Sequence, residues 1–460
     1  MTHGHRLKDT TMPRFLLFLV SVFLTFSPAA FAQVRSLSLD EAIELAMKQN
    51  KTIAVARLGV KKAESQVREA FGTALPTLNV SAGYNYNIQL PVFFFPNPQT
   101  GEVSPLRFGL TNTYNVTTQV QQLIFSSAAF TAISASKLYS DAAEAQLDAA
   151  VAEVVTETKK RYYQAVAATG YASVADASLT NILEVQRNIT AFFAEGLVAE
   201  FDKIRADVAV ANARPMVLQA KSGKYAAIAA LQTYIGMNLA DSISVSEGGF
   251  PALKETPQID GSVAMAVNDN LDLRALRHQI DVSSRMVDLS RSDYYPTLAA
   301  FGQWQNQGQS ESLSGWQSAS STVVGLNFSM NLFNGLRSNE RVEQSQIDVL
   351  SAKERLNQLT ELIHLQVRTL INQLESARER SLAQKSTVEQ AQRGYEIARI
   401  RYREGTGSLL EINDAETSLA QAKLNAITAL VDYHVTRADF ERATGQVDRS
   451  YWRFVRKDGR

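Results

Sequence analysis

The feature that most constrains the fold of this chain is an internal duplication. The stretch ALPTLNVSAGYNYN at 74–87 is matched by YYPTLAAFGQWQNQ at 294–307, and each contains Pro-Thr-Leu. Single residues repeat at a similar spacing, and these pairs are Asn50 with Asn270, Glu195-Gly196 with Glu404-Gly405, and Gly236 with Gly445. A spacing of about 210 residues indicates a duplicated domain rather than a short solenoid repeat.

Glycine and proline residues mark a boundary between the two halves. Gly248, Gly249, Pro251 and Pro257 cluster there and predict a linker. The predicted parts of the chain are a signal peptide at 1–32, a first repeat at 33–240, a linker at 241–259, a second repeat at 260–445 and a C-terminal tail at 446–460. The tail is basic and aromatic, and we expect it to be solvated.

The N-terminal residues predict export. Arg6, Lys8 and Arg14 precede the apolar run FLLFLVSVFLTF, and Ala30-Phe31-Ala32 supplies small residues before the expected cleavage after Ala32. This order of basic, apolar and small residues is typical of a secretory signal peptide. The apolar run is shorter than the span of about 20 residues that a transmembrane helix takes. A buried N-terminal helix is the alternative interpretation.

Two long stretches predict helices. No proline lies between Pro105 and Pro215, and none follows Pro296. Both stretches are rich in residues that favour helix, such as Ala, Leu, Glu, Gln and Arg. Apolar or small residues recur at coiled-coil spacing in the second stretch, at Val342, Val349, Leu356, Ile363, Leu370 and Ala377. A helix over 336–403 would be about 100 Å long, a length that suits bracing, bridging or lining a tube.

Shorter segments predict strands, because apolar and polar residues alternate along them. The predicted strand pairs are about 79–90 with 112–123 in the first repeat, and about 298–308 with 321–332 in the second. Their polar positions are uncharged, and their lengths suit tilted membrane strands of about 10 residues. A half-buried sheet in a soluble protein is the alternative interpretation.

Membrane strands would require an oligomer. Four strands are too few to close a membrane barrel, since the smallest barrels have about eight. An open sheet edge in lipid also leaves backbone N–H and C=O groups without hydrogen-bond partners. Several copies of the chain would therefore have to contribute strands to one barrel.

Composition and motifs argue against several other functional classes. The chain has 46 basic and 46 acidic residues, so no basic field favours nucleic acid, and it has no cysteine for thiol chemistry or disulfides. After the predicted signal peptide only His278, His364 and His434 remain, without metal-ligand spacing. Phosphate-binding, dinucleotide-binding and nucleophile motifs are missing from the sequence. We expect no enzyme activity, no metal and no cofactor.

The signal peptide, duplicated halves, strand pairs and long proline-free helices, over residues 37–445, together resemble the TolC family of outer-membrane efflux and secretion channels. The resemblance implies an α+β membrane protein in which three chains pool four strands each into one 12-stranded β-barrel. The helices would continue this barrel as an α-helical barrel through the periplasm. The implied partners of this homotrimer are outer-membrane lipid, a periplasmic adaptor protein and an inner-membrane pump or ABC exporter, in a tripartite efflux pump or in type I secretion.

The resemblance also gives the two Glu-Gly pairs a role. Each pair interrupts a segment that otherwise predicts helix, although glycine costs about 1 kcal/mol relative to alanine in a helix interior. In the family these positions are the periplasmic tips of helical hairpins, and they meet the adaptor. The matching tip residues are Gly196, Leu197, Val198 and Ala199 in the first half, and Gly405 and Thr406 in the second.

Two acidic residues follow the second tip. Glu411 and Asp414 are three residues apart, so on a helix they share one face. Without further context, the interpretation of these two residues is that they are solvated acids on the protein surface. In a three-fold tube they would form two stacked rings of carboxylates, which attract cations and repel anions. The resemblance favours the rings, because family members carry two aspartates at these positions.

The family's closed state also uses polar links between neighbouring hairpins. The resemblance places Tyr402 and Asp202 at one such link, which implies a hydrogen bond between phenol and carboxylate. The second link is lost here, because Gly407 and Phe201 occupy its two positions.

The competing function is that of a periplasmic coiled-coil adaptor or scaffold protein. It accounts for the long helices and the signal peptide. It does not account for four alternating strands whose polar positions are uncharged.

Overall fold

The computed structural model of the chain describes residues 35–96, 98–245 and 250–456. The predicted signal peptide lies outside these residues. The described chain is mostly helical and also contains sheet. Among the described residues, no helix is both long enough and apolar enough to cross a membrane.

The first half begins with a short strand and a pair of helices, enters a sheet, and leaves it along a long helical hairpin. Its elements are β1 (Arg35–Leu37), α1 (Leu39–Gln49), α2 (Lys51–Gly72), β2 (Thr77–Tyr86), β3 (Val92–Pro96), β4 (Val103–Arg107), β5 (Asn112–Ser126), α3 (Ser127–Ala194) and α4 (Glu200–Ile235).

The second half repeats this order of elements. They are β6 (Ile243–Val245), α5 (Ile259–Asp269), α6 (Leu271–Arg291), β7 (Thr297–Ser310), β8 (Gln317–Ser329), α7 (Arg337–Arg403) and α8 (Leu409–Ala443). Short 3-10 helices follow α6, at Ser292–Tyr294, and α8, at Arg449–Phe454. The pair β3–β4 has no counterpart in the described part of this half.

Two regions contain strands that the alternation pattern did not predict. The linker at 241–259 contains β6, which pairs in parallel with β1. The loop at 90–110 contains β3 and β4, which pair antiparallel with each other. A three-residue strand is too short to show alternation, and both faces of β3 are apolar, so neither gives the period-two signal.

Strands β2, β5, β7 and β8 form one antiparallel sheet in that order. The first predicted strand pair corresponds to β2 and β5, and the second to β7 and β8. The cross-strand register sorts their side chains onto two faces. One face is largely apolar and includes Leu78, Val80, Tyr84, Tyr114, Val120, Trp304, Val324 and Leu326; the other is largely amide and hydroxyl and includes Asn79, Ser81, Thr117, Gln119, Gln303, Gln305 and Ser321.

This sheet is exposed on its apolar face and open at both edges. Val80 is 67% exposed and Val324 is 79% exposed. None of the four strands contains a charged residue. Within the described chain, β2 and β8 each have only one neighbouring strand. An open edge presents unpaired backbone groups to another chain, and a large exposed apolar face marks an interaction surface.

The long helices pack through small side chains. α3 packs against α2, α4, α6 and α8, and α7 packs against α6 and α8. Alanine loses no side-chain entropy on burial and lets helix backbones approach closely, which suits such long contacts. Buried alanines of α3 are Ala135, Ala142, Ala145, Ala149, Ala152, Ala165, Ala167 and Ala172.

Each half closes at a joint, which is the contact between the turn linking its first two helices and the end of its last helix. In the first joint, Asn50 Oδ1 accepts from the backbone N–H of Thr52 and of Ile53, and so caps α2. Asn50 Nδ2 donates to the carbonyl of Tyr234 in α4 at 2.8 Å. One side chain thus starts one helix and holds the end of another.

The second joint has the same bonds. Asn270 Oδ1 accepts from the backbone N–H of Asp272 and of Leu273, both at 3.0 Å, and Nδ2 donates to the carbonyl of Ala443 in α8 at 3.0 Å. Asn50 and Asn270 are one of the residue pairs that revealed the duplication. The structure shows that this repeated residue type serves a repeated hydrogen-bonding role.

The C-terminal segment is anchored, so the expectation of a solvated tail is wrong for the described residues up to 456. Tyr451 Oη donates to Asp40 at 2.7 Å. Trp452 Nε1 and Arg456 Nη2 donate to Asp148 Oδ1 at 2.8 Å and 2.7 Å. The basic and aromatic residues of this segment therefore hold it against α1 and α3. Residues 457–460 lie outside the described chain.

Candidate functional site at the hairpin tips

The first tip is the turn between α3 and α4. Gly196 follows the end of α3 with φ 70°, in the left-handed region that glycine adopts without steric cost. Its N–H donates to the carbonyl of Phe193 at 3.0 Å, and the N–H of Leu197 donates to the carbonyl of Phe192 at 2.9 Å. This pair of bonds is a Schellman motif, which satisfies carbonyls that a helix end leaves unpaired.

The second tip, between α7 and α8, has the same motif at the matching positions. Gly405 has φ 72°, and its N–H donates to the carbonyl of Tyr402 at 3.1 Å. The N–H of Thr406 donates to the carbonyl of Arg401 at 2.9 Å. Both Glu-Gly pairs are thus helix ends at which the chain turns back.

The tip residues are mostly exposed. Leu197 is 67% exposed, Val198 is half-buried, and Ala199, Gly405 and Thr406 are exposed. A side chain added at Gly196 or Gly405 would meet nothing within 4 Å. The turns at the tips are therefore open surfaces, whose shape is set by backbone conformation rather than by packing.

The two tips differ in how the next helix begins. Ser408 Oγ accepts from the N–H of Glu411 at 3.2 Å and caps α8. The matching position before α4 is Ala199, which has no side-chain cap. At the second tip, Arg401 Nη1 also lies 3.3 Å from Glu411 Oε2. Polar side chains therefore hold the second tip more than the first.

The two predicted gate acids have different surroundings within the chain. Both are exposed on the first turns of α8. Glu411 has the contacts with Ser408 and Arg401 given above, whereas the Asp414 carboxylate has no hydrogen bond or ion pair among the described residues. Of the two, Asp414 carries the charge that forms no ion pair within the described part of its own chain.

The structure brings Tyr402 and Asp202 near each other but does not join them by a hydrogen bond within the described chain. Burial raises the pKa of the Tyr402 hydroxyl, and the Asp202 carboxylate raises it further. The interaction between the two residues within a single chain is thus electrostatic rather than a hydrogen bond. Phe201 is exposed and Gly407 donates its N–H to the carbonyl of Arg401, so neither forms a second link.

A buried acid near the tips was not predicted. Glu416 is 8% exposed and forms no hydrogen bond or ion pair among the described residues. It lies on the same face of α8 as buried Ile412 and Leu419, which belong to the core behind both tips. Helical periodicity was the available signal, because Glu416 is four residues after Ile412 and three before Leu419.

Among the histidines of the described chain, His434 is the one that lies in the packed interior, whereas His364 is exposed. Among the described residues, no three His, Cys, Asp or Glu side chains are grouped so that they could hold a metal ion. His434 is buried, stacks on Phe250 with ring centroids 5.4 Å apart, and lies 4.9 Å from the ring of Tyr163. Burial lowers its pKa to about 4.

Comparison with known proteins agrees with this architecture. A family model described as outer membrane efflux protein matches residues 42–237 and 263–446. The chain is 22% identical over 397 residues to outer membrane protein TolC of Escherichia coli K12, covering 83% of this chain and 77% of that protein. It is 23% identical over 429 residues to protein CyaE of Bordetella pertussis, covering 92% of this chain and 87% of that protein.

Solved structures show the same fold. The outer membrane channel CmeC of Campylobacter jejuni superposes with a TM-score of 0.72 at 20% sequence identity, covering 88% of this chain and 85% of that chain. At this level of identity the likeness concerns the fold.

Proposed function

Since the chain belongs to the outer membrane efflux protein family, and so to the TolC-type efflux and secretion channels, we propose that it is the exit channel of a tripartite efflux pump or of a type I secretion system. The family consists of transport conduits rather than enzymes. The chain is accordingly an outer-membrane protein with a periplasmic extension, and the finer proposal concerns its assembly, its partners and its gate.

The observation that carries the proposal is the sheet β2-β5-β7-β8. It has one apolar face, one uncharged polar face and two open edges. Moving the apolar face from water into lipid lowers its free energy. Each backbone N–H or C=O group that is left unpaired at an edge in lipid raises it. A sheet of this kind is stable in a membrane only when other strands pair with both edges.

A closed ring of copies satisfies both edges at once, and the family implies that this ring has three members. The β2 edge of each copy would pair with the β8 edge of the next, so that three sheets close into one 12-stranded barrel. The amide and hydroxyl face would then line the lumen, as polar interiors do in outer-membrane barrels. The long hairpins α3–α4 and α7–α8 would continue the lumen as a helical barrel in the periplasm.

The exposed tips support an interface with a periplasmic adaptor. Leu197 and Thr406 stand at turns whose shape is fixed by Schellman motifs, so a partner would meet a preformed surface. Conduction through the channel is passive in this proposal. The energy for transport would come from an inner-membrane pump or ABC exporter that the adaptor connects to the channel.

The acids at the second tip would form the charged periplasmic constriction. In the trimer, three Glu411 and three Asp414 side chains make two rings, and carboxylate rings favour cations. Arg401 balances Glu411 within each chain, so the ring of Asp414 contributes more of the field. The Tyr402–Asp202 contact would hold the neighbouring hairpins together in the closed state.

The first test is the location and native mass of the mature protein. Membranes are separated, the outer-membrane fraction is extracted in detergent, and the mass is measured by light scattering. A trimer in the outer membrane is expected. A soluble periplasmic protein would contradict the channel and would support the alternative adaptor or scaffold function.

The second test addresses the gate in planar bilayers. Asp414→Asn should reduce cation-over-anion selectivity by roughly two-fold or more, and Glu411→Gln by less, because Arg401 already balances Glu411. Glu200→Gln at the first tip is the matched control, since it removes an exposed acid outside the proposed rings. Equal selectivity in all three variants would contradict the proposed constriction.

A further inference from the structure

The loop at 90–110, between β2 and β5, carries a largely apolar ribbon that the exit-channel function does not use. We name it the aromatic hairpin and define it as β3 with β4. Its register places Phe93 opposite Leu106 on one face, and Phe94 opposite Pro105 on the other. Phe95 shares the face of Phe93, and its ring and that of Phe93 contact Phe108 at 6.1 Å and 5.7 Å between centroids.

Both faces of the aromatic hairpin remain exposed in a single chain. Phe94 is 69% exposed, and Phe93 and Phe95 are each 52% exposed. β3 and β4 pair only with each other among the described strands. An isolated two-stranded ribbon is marginally stable in water, and contiguous exposed apolar surface marks an interaction site. The hairpin therefore needs a partner that covers two faces.

A bulge separates the aromatic hairpin from the main sheet. The ladder continues through Asn87 N–H to the carbonyl of Thr111, and then through Phe108 N–H to the carbonyl of Pro91. Between these bonds, the segment 88–90 on one strand faces the shorter segment 109–110 on the other. Gly109 within it has φ 95°. An extra residue on one strand bends a ribbon, so we expect the hairpin to leave the direction of the sheet.

The length of the hairpin suits a contact at the centre of the proposed barrel. Strands of 5 residues, such as β3 and β4, extend about 17 Å at 3.3 Å per residue. A 12-stranded barrel with strands about 4.8 Å apart and tilted by about 40° has a radius of about 12 Å. A hairpin bent inward from the rim can thus reach the three-fold axis.

We propose that the aromatic hairpins of neighbouring copies pack against one another over the outer mouth of the channel. The proposal rests on the trimer of the proposed function. In a ring of three, each hairpin has one identical neighbour on either side, and the strong twist of a two-stranded ribbon turns its two faces toward these neighbours. The occupant is a second copy of this chain on each face.

The position of the hairpin favours copies over lipid. Trp316 contacts Tyr84 and Tyr114 at the outer end of the sheet, with ring centroids 6.4 Å and 5.2 Å apart. Such aromatic groups mark the membrane–water interface of outer-membrane barrels. The hairpin follows Tyr86 along β2, beyond this group, and so stands on the aqueous side. A lipid surface would also cover only one face.

The chain has no cysteine, so single thiols can test the contact. Phe94→Cys in otherwise intact protein is oxidised, or treated with a short bis-maleimide, and analysed on denaturing gels. Three thiols around one axis allow one disulfide per trimer, so roughly two-thirds of the chains should run as dimers. Leu313→Cys is the matched control, because this residue is 78% exposed in the loop between β7 and β8 and should not cross-link.

Native mass separates the two possible failures. A trimer in which Phe94→Cys gives no cross-link above the Leu313→Cys control overturns the hairpin contact and leaves the channel intact. A protein that is not a trimer overturns both proposals. A fluorophore attached to the thiol of the Phe94→Cys variant reports the surroundings of the hairpin. Quenching of this fluorophore by brominated lipids would place the hairpin on the membrane and would also overturn the contact.

Conductance supplies an independent readout. Phe93→Ser, Phe94→Ser and Phe95→Ser combined should raise single-channel conductance by roughly two-fold, since an apolar constriction excludes water. Trimers of this variant with unchanged conductance would show that the hairpins do not pack over the mouth.

Discussion

The four long helices α3, α4, α7 and α8 end in the same Schellman turn, but the turns at the joints and those at the tips have different surroundings. At the joints, an added Cβ on Gly236 would lie 2.7 Å from Gln49 Cβ, and one on Gly445 would lie 2.3 Å from the carbonyl oxygen of Asp269. At the tips, an added Cβ on Gly196 or Gly405 would meet nothing within 4 Å.

This difference shows that the Schellman turn has two structural roles in the chain, one at the joints and one at the tips. The joints need glycine for its conformation and for its lack of a side chain, because another part of the chain packs directly on the turn. The tips need glycine only for its conformation. The joints are therefore internal structure, whereas the surface of the tips stays exposed, as the proposed adaptor contact requires.

The sharpest test of this comparison is Gly445→Ala against Gly405→Ala. Both place alanine at positive φ, which costs about 1–2 kcal/mol. Gly445→Ala also forces the Asp269 backbone away, so we expect a total loss of about 3 kcal/mol or more per chain. Thermal unfolding in detergent, followed by circular dichroism, measures both. Equal losses at the two positions would contradict the distinction between joint and tip.

A second test measures how stability depends on pH, and it concerns His434, which lies in the part of α8 nearer to the second joint. The pKa of His434 is lowered from 6.5 to about 4 in the folded chain. The unfolded chain therefore binds the proton more tightly, so stability is full above pH 6.5 and falls as the pH is lowered toward 4. The loss is about 3 kcal/mol at the acid end of this window. Thermal unfolding at a series of pH values measures it.

His434→Phe is the control for the pH test, since it keeps an aromatic ring and removes the titrating group. Its stability should fall less between pH 6.5 and 4. Carboxylates such as Glu441 supply the remaining dependence, because Lys159 and Arg437 lower its pKa more than burial raises it. The same acid-side slope in both proteins would show that His434 does not titrate in this window.

The third test removes the side chain that connects two helices at a joint. Asn270→Ala loses the cap of α6 and leaves the carbonyl of Ala443 without its donor, for an expected loss of about 2 kcal/mol. Asn50→Ala should lose a similar amount, because its bonds are the same. Thermal unfolding of both variants checks the equivalence of the joints; a loss at one position alone would contradict it.

The smallest expected effects are at the tips. Ser408→Ala removes the cap of α8 and should cost about 1 kcal/mol, whereas Ala199→Ser supplies the missing cap of α4 and should gain less than about 1 kcal/mol. Proteolysis of the tips under native conditions reports both changes locally. Faster cleavage in Ala199→Ser would mean that the first tip depends on an uncapped helix start.

Local and periodic signals were sufficient to predict much of this fold. Three signals were informative: the matched Glu-Gly pairs, the alternation of the four strands and the lack of proline in the long helices. Each of them determines backbone conformation within a few residues of its own position. Their consequences in the structure, such as the helix Arg337–Arg403, are accordingly close to the sequence prediction.

Contacts between distant parts of the chain were not predictable in this way. Asp148 receives hydrogen bonds from Trp452 and Arg456, but no spacing in the sequence connects these residues. The pairing of β1 with β6 joins three-residue strands from different halves. Glu411 forms an ion pair and Asp414 does not, and this difference likewise depends on Arg401. The turn of the second tip brings Arg401 to Glu411.

The uncharged polar face of the sheet has an electrical consequence in the proposed trimer. A lumen lined by amides and hydroxyls, without fixed charge, behaves as a column of electrolyte whose resistance adds in series to that of its two ends. The end with the higher resistance then limits the current more than the other end does. Opening one end lowers the total resistance only by that end's share, and opening both together raises the current by more than the two separate effects combined.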